Sequence, residues 1–165
     1  MDSRILVTAV IVVTTMLGFA SPATAQPAAP TKVEGVFHDY TADLDASGPW
    51  QLVGDWSATL KGASGKVDVV ASLSMVRSDT SPRSAHTHHV GLIDGEVTVL
   101  PNGYRITGAA TITSNGAVAP FSGSPAVLEI TGNTAVPLAK VTLTFQGAAA
   151  AHFGDQPIDG VVRVR

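Results

Sequence analysis

From residue 32 onward, apolar and polar residues alternate with a period of two, and this admits few folds. In one segment Val67, Val69, Ala71, Leu73 and Met75 fall on one side while Asp68, Ser72 and Ser74 fall on the other. Leu52, Gly54, Trp56, Ala58 and Leu60 alternate with Val53, Asp55, Ser57, Thr59 and Lys61 in the same way. Further segments of this kind are 86–93, 96–100, 104–114, 126–131, 138–146 and 158–165. Successive side chains of a strand point to opposite faces, so alternation describes strands with one buried face. Apolar residues do not recur at helical spacing without an early Gly or Pro, so the pattern predicts no major helix. About nine strands joined by short turns predict an all-β domain. A single antiparallel β-barrel is the expected form, with a two-sheet β-sandwich as the alternative.

Two dipeptides bear on register. Asp94-Gly95 and Asn102-Gly103 suit type I′ hairpins, whose two central residues both need positive φ. A loop at 94 and 95 sets Leu92 opposite Val97, and a loop at 102 and 103 sets Val99 opposite Ile106. Val90, Leu92, Val97, Val99 and Ile106 then share a core face that also carries His86 and His88, while His89 points away. A bulge between 88 and 92 would exchange these faces. In the strand at 36–45, the set Val36, His38 and Tyr40 is taken as the inward one.

The N-terminus carries an address. Arg4 precedes an apolar run that breaks at Ser21-Pro22, and Ala23 and Ala25 supply the small residues of a cleavage site before Gln26. Residues 1–25 are read as a signal peptide, 26–31 as a disordered leader and 32–165 as one β domain. The expected localisation is secreted or periplasmic, with no membrane span in the mature form, because the apolar run falls short of the ~20 residues a spanning helix needs. An outer-membrane barrel is disfavoured, since a final Val162-Arg163-Val164-Arg165 strand does not make a lipid-facing band. The chain has no cysteine, which excludes disulfides and thiolate metal sites. A net charge of −3 without a basic run excludes a nucleic-acid partner.

The histidines carry what chemistry the sequence offers. His86 and His88 lie two residues apart on one strand, so both imidazoles can meet one ion from the same side. His38 and His152 are the candidate further ligands. Imidazole ligands suit a divalent transition metal such as Zn, Cu or Fe, and three histidines with an open position make a catalytic zinc arrangement. Trp56, Tyr40 and Tyr104 are the candidates for contact with a small-molecule ligand. Ala85-His86-Thr87-His88, with His152, Pro157, Gly160 and Arg163 far downstream, resembles in outline the CHRD domain; the spacing from Pro157 to Arg163 departs from that pattern, and no residue role is carried over. The acidic residue a cupin places after its H-x-H is absent, and Gly54-Asp55-Trp56 resembles only the opening of a lipocalin barrel. Asp43-Leu44-Asp45-Ala46-Ser47-Gly48 begins like a calcium loop, but Gly54 stands where the bidentate Glu belongs. Residues 62–66 superficially suggest a phosphate loop, yet Leu60 replaces its first glycine.

The expected function is a secreted binding protein whose inward histidines hold a transition metal or serve a small ligand. A small metal-dependent or acid–base enzyme, with the polar loop 78–84 and Arg83 beside the site, is the alternative from another class. A structural domain without a site is the third.

Overall fold

The computed structural model describes residues 32–41, 49–61, 65–79, 85–132 and 139–163. The segments read as signal peptide (1–25) and leader (26–31) and the calcium-like loop at 43–48 lie outside these residues, as do most of the loop 78–84 and residues 62–64. Nine strands are described: β1 Lys32–Tyr40, β2 Trp50–Lys61, β3 Lys66–Arg77, β4 His86–Leu100, β5 Gly103–Ser114, β6 Ala117–Val118, β7 Pro125–Thr131, β8 Lys140–Phe145 and β9 Ile158–Arg163. One six-residue helix, α1 Ala148–Phe153, lies between β8 and β9.

The strand order is β4-β3-β2-β1-β9-β8-β7-β5-β6, and a further β4–β5 ladder closes it. Every ladder is antiparallel. The result is a closed eight-stranded up-and-down barrel with β6 as a two-residue addition on β5, which settles barrel against sandwich. A barrel of eight strands has an interior just wide enough for side chains to fill. Here Trp56, Leu73, Met75, Leu92, Ile112, Leu128 and Leu143 fill it. The outward face carries ion pairs such as Lys61–Asp68, Arg105–Glu129 and Lys140–Asp159 beside exposed apolar residues such as Val53, Val70 and Ile93. Among the described residues, no helix is long and apolar enough to cross a membrane.

Asp94-Gly95 is not a hairpin. It lies inside the fifteen-residue β4, where the ladder to β5 runs from Leu92↔Ala110 to Glu96↔Thr107 and so leaves one extra residue on β4. The same offset appears against β3, between Val69↔Leu92 and Val67↔Gly95. Asp94 has φ 56, whereas Gly95 is not among the positive-φ residues; a type I′ turn needs both, and a bulge needs one. Lys61 and Asp68 anchor the bulge. The Asp94 N–H donates to Asp68 Oδ1 at 2.9 Å, and Lys61 Nζ lies 2.9 Å from Asp68 and 2.7 Å from Asp94. That backbone N–H, followed by the Lys61 ammonium, holds the Asp68 carboxyl below its ordinary pKa. Gly95 faces inward, where an added Cβ would stand 2.8 Å from Ile106 Cγ2, so side-chain bulk is excluded there.

The bulge shifts inward parity by one residue, from His88, Val90 and Leu92 to Gly95 and Val97. A hairpin also sets residues 92 and 97 on one face, which is why the predicted faces agree although the predicted turn does not exist. The next loop is Pro101-Asn102, with Leu100↔Gly103, Val99↔Tyr104 and Val97↔Ile106 paired. That is a slip of two from the expected register, which preserves the faces. Val90, Leu92 and Ile106 are buried and Val97 packs partly against the core. Val99 is instead 65% exposed, because it stands beyond the last filled layer.

In β1 the inward set is Val33, Gly35 and Phe37, not Val36, His38 and Tyr40. Val36 and Phe37 are both apolar, so alternation alone left the choice open, and burying the larger aromatic decides it. Pairing with β2 sets Gly35 opposite Trp56. A Cβ on Gly35 would lie 2.7 Å from the Trp56 indole nitrogen, so the missing side chain makes room for the indole.

Val97→Asp should cost several kcal/mol in denaturant unfolding, because it places a carboxylate among Leu60, Ile106 and Ile130. Thr98→Asp, one residue along and exposed, should stay within about 0.5 kcal/mol. Equal costs would contradict the face change at the bulge.

Candidate metal centre

One end of the barrel is closed by α1, and the histidines gather there. Four consecutive alanines make a strong local helix signal. Gly154, at φ 94, ends the helix with its N–H on the Ala150 carbonyl at 2.8 Å. Ala149, Ala150 and Phe153 are buried. Phe153 stacks on Phe145 of β8 at 4.4 Å between ring centroids, and the Ala149 N–H donates to Ser124 Oγ at 3.2 Å. These contacts fix the side of α1 that carries His152.

β4 supplies the other two rings. His88 lies opposite Leu73 on β3 and Ser114 on β5, and His86 lies opposite Met75. His152 Nε2 stands 2.9 Å from His88 Nε2 and 3.3 Å from His86 Nε2. One ring nitrogen from each histidine falls within 4.8 Å of the others. Nitrogens around a tetrahedral ion with metal–nitrogen bonds of 2.0–2.1 Å are roughly 3.3 Å apart, so the trio is spaced to hold a metal. Aromatic rings surround it. Trp50 meets His86 edge-on at 5.5 Å, Phe121 stacks on His152 at 4.6 Å, and Phe153 meets His88 at 4.9 Å.

His88 is fully buried, and its Nδ1 lies 3.2 Å from the Thr113 carbonyl. A carbonyl only accepts, so Nδ1 carries the proton and Nε2 of the neutral ring presents a lone pair to the cluster. Burial, then the neighbouring His152 and His86, push the His88 pKa from 6.5 down to about 4, against a smaller opposing effect of the Thr113 bond. Burial and His86 also lower the pKa of His152. With His88 Nε2 bare, a proton on His152 Nε2 is donated to it at 2.9 Å. The same His152 nitrogen lies 3.3 Å from His86 Nε2, so the three rings turn their nitrogens toward one point. A cation among the three nitrogens accepts all three lone pairs at once.

Of the other candidates, His38 faces outward, exposed, and accepts a hydrogen bond from Gln51 Nε2 at 3.0 Å. It does not join the trio, because the inward parity of β1 belongs to Phe37. His89 is exposed on the outer face as expected. Trp56 is buried beside Phe37 in the interior, Tyr40 is 48% exposed on the outer face, and Tyr104 borders a small apolar cavity with Val33, Leu60 and Val97 at the opposite end of the barrel. These three aromatics therefore line no common pocket. Thr113, Phe121, Phe153 and Trp50 escaped the sequence reading; only the alanine run before His152 gave a signal, as a helix start. No protein-family model matches the chain, and neither a curated protein nor a solved structure matches it. The CHRD resemblance gains no support from these comparisons.

The lowered His88 pKa fixes a pH dependence for the metal-free protein. The unfolded chain binds this proton near pH 6.5 and the folded chain only near pH 4, so folding stability is full above the upper value and falls as pH drops between them. The loss should approach roughly 3 kcal/mol. Urea unfolding across this window should show it, and His88→Leu should flatten it; an unchanged slope in that variant would assign the dependence elsewhere.

Proposed function

We propose that this protein binds a transition-metal ion through His86, His88 and His152 at the helix-closed end of the barrel. One observation carries the reading: a ring nitrogen from each of the three histidines falls within 4.8 Å of the others. The donor set is entirely imidazole, which suits Zn, Cu or Fe and disfavours Mg and Ca, whose sites are built from oxygen. The Thr113 carbonyl holds the His88 ring with Nε2 toward the ion, and β4 and α1 hold the other two rings on rigid elements. A small metal-dependent enzyme using the same three histidines is the alternative reading, and a substrate-dependent rate lost in His88→Ala would distinguish it from binding alone. The segment 1–25 is read as an export signal, which puts this binding in a secreted or periplasmic protein.

Zn(II) or Cu(II) should raise the melting temperature, since the ion binds the folded state alone. His86→Ala, His88→Ala and His152→Ala should each remove the shift, and His38→Ala and His89→Ala should keep it. No shift in the unmutated protein, or an equal loss in His89→Ala, refutes the site. The gain should also fade as pH falls toward about 4, where protons compete with the ion for His88. Intact mass of the exported protein should place its first residue at Gln26; a retained leader would remove the export reading.

A further inference from the structure

The histidine layer contains one more donor. The chain has three methionines, Met1, Met16 and Met75, so the β domain from residue 32 onward has one. Met75 lies directly opposite His86 across the β3–β4 ladder and is 1% exposed. Residues opposite each other in an antiparallel pair share a face, with Cβ atoms roughly 4.5–5.5 Å apart. A methionine side chain has three rotatable bonds, so the thioether, on the same inward face as His86, is free to turn toward the histidines. The other inward positions of β3 are Val67, Val69, Ala71 and Leu73. The sulfur thus occurs in this strand at the histidine layer and nowhere else.

We infer that the site selects copper, bound as Cu(I) by His86, His88 and His152 with the Met75 thioether as the fourth donor. This rests on the three-histidine reading and narrows it to one metal and one oxidation state. Softness favours it, because thioether ligands select Cu(I) over harder ions. Charge favours it as well. The trio contains no Asp or Glu, His88 is fully buried, and the walls are Trp50, Phe121 and Phe153. The cost of burying an ion rises with the square of its charge, so a monovalent ion among neutral donors is about fourfold cheaper to desolvate than a divalent one of equal size. A methionine that merely fills space in the core makes a different prediction, since leucine of similar volume would then serve equally well.

The test compares the purified unmutated protein with Met75→Leu, using Cu(I) titrated anaerobically against a chromogenic Cu(I) chelator and Zn(II) in a parallel titration. Met75→Leu should weaken Cu(I) binding about tenfold or more and leave Zn(II) binding unchanged. X-ray absorption of the Cu(I)-loaded unmutated protein should show one sulfur neighbour beside the nitrogens, and this decides the question even if Met75→Leu fails to fold. Equal Cu(I) affinity in the two proteins, or a copper shell without sulfur, overturns the role of Met75 while three-histidine binding stands. If the unmutated protein binds neither ion, the three-histidine reading fails and this inference fails with it.

Discussion

The ladder between β4 and β5 does two things at once, and the rest of the molecule depends on both. It closes the barrel, joining β4 at one end of the strand order to β5, on which β6 is only a two-residue addition. It also runs past the histidines, with His88 opposite Ser114 and His89 opposite Thr113, and so brings the Thr113 carbonyl to His88 Nδ1. Closure leaves no free edge among the eight barrel strands. It also makes the strand that completes the sheet the one that sets the tautomer of the buried histidine.

The bulge at Asp94 lets one strand serve both ends of the barrel. β4 spans fifteen residues, and without an extra residue the parity that buries His88, Val90 and Leu92 would carry on to Asp94 and Glu96. Asp94, held in positive φ by Lys61 and Asp68, absorbs that residue and turns Gly95 and Val97 inward instead. Glu96 is thereby left outside, where it pairs with Lys66. A local dipeptide usually read as a place to reverse the chain here corrects a strand that continues.

A packed interior usually excludes bare polar atoms, because an unpaired buried group loses its hydration without compensation. The barrel admits polar rings at one layer, where both His88 nitrogens are partnered, by the Thr113 carbonyl and by His152. Leu92 and Ile112 fill the interior further along the same strands, whereas at the mouth the corresponding space holds imidazoles closed over by Phe121, Phe153 and α1. Burial keeps His88 neutral, and neutrality is the state in which imidazole nitrogen is a ligand. The burial that disfavours protonation of His88 and His152 thus keeps their nitrogens in the state a metal would need.

The sequence by itself determined the all-β class, the barrel expectation and the inward placement of His86 and His88, because a period of two is a property of neighbours along one strand. It also raised His152 as a partner, without a way to bring it there. Three features waited on tertiary structure for a shared reason: each depends on which strands lie side by side. The face of β1 was ambiguous between Val36 and Phe37 until pairing with β2 set Phe37 in the Trp56 layer, and this excluded His38. Asp94-Gly95 fits a turn and a bulge equally well in isolation, and the ladders on both sides of β4 chose the bulge. The approach of His152 to within 2.9 Å of His88, across 64 residues of chain, comes from α1 packing over the barrel end, a long-range contact that no local pattern encodes.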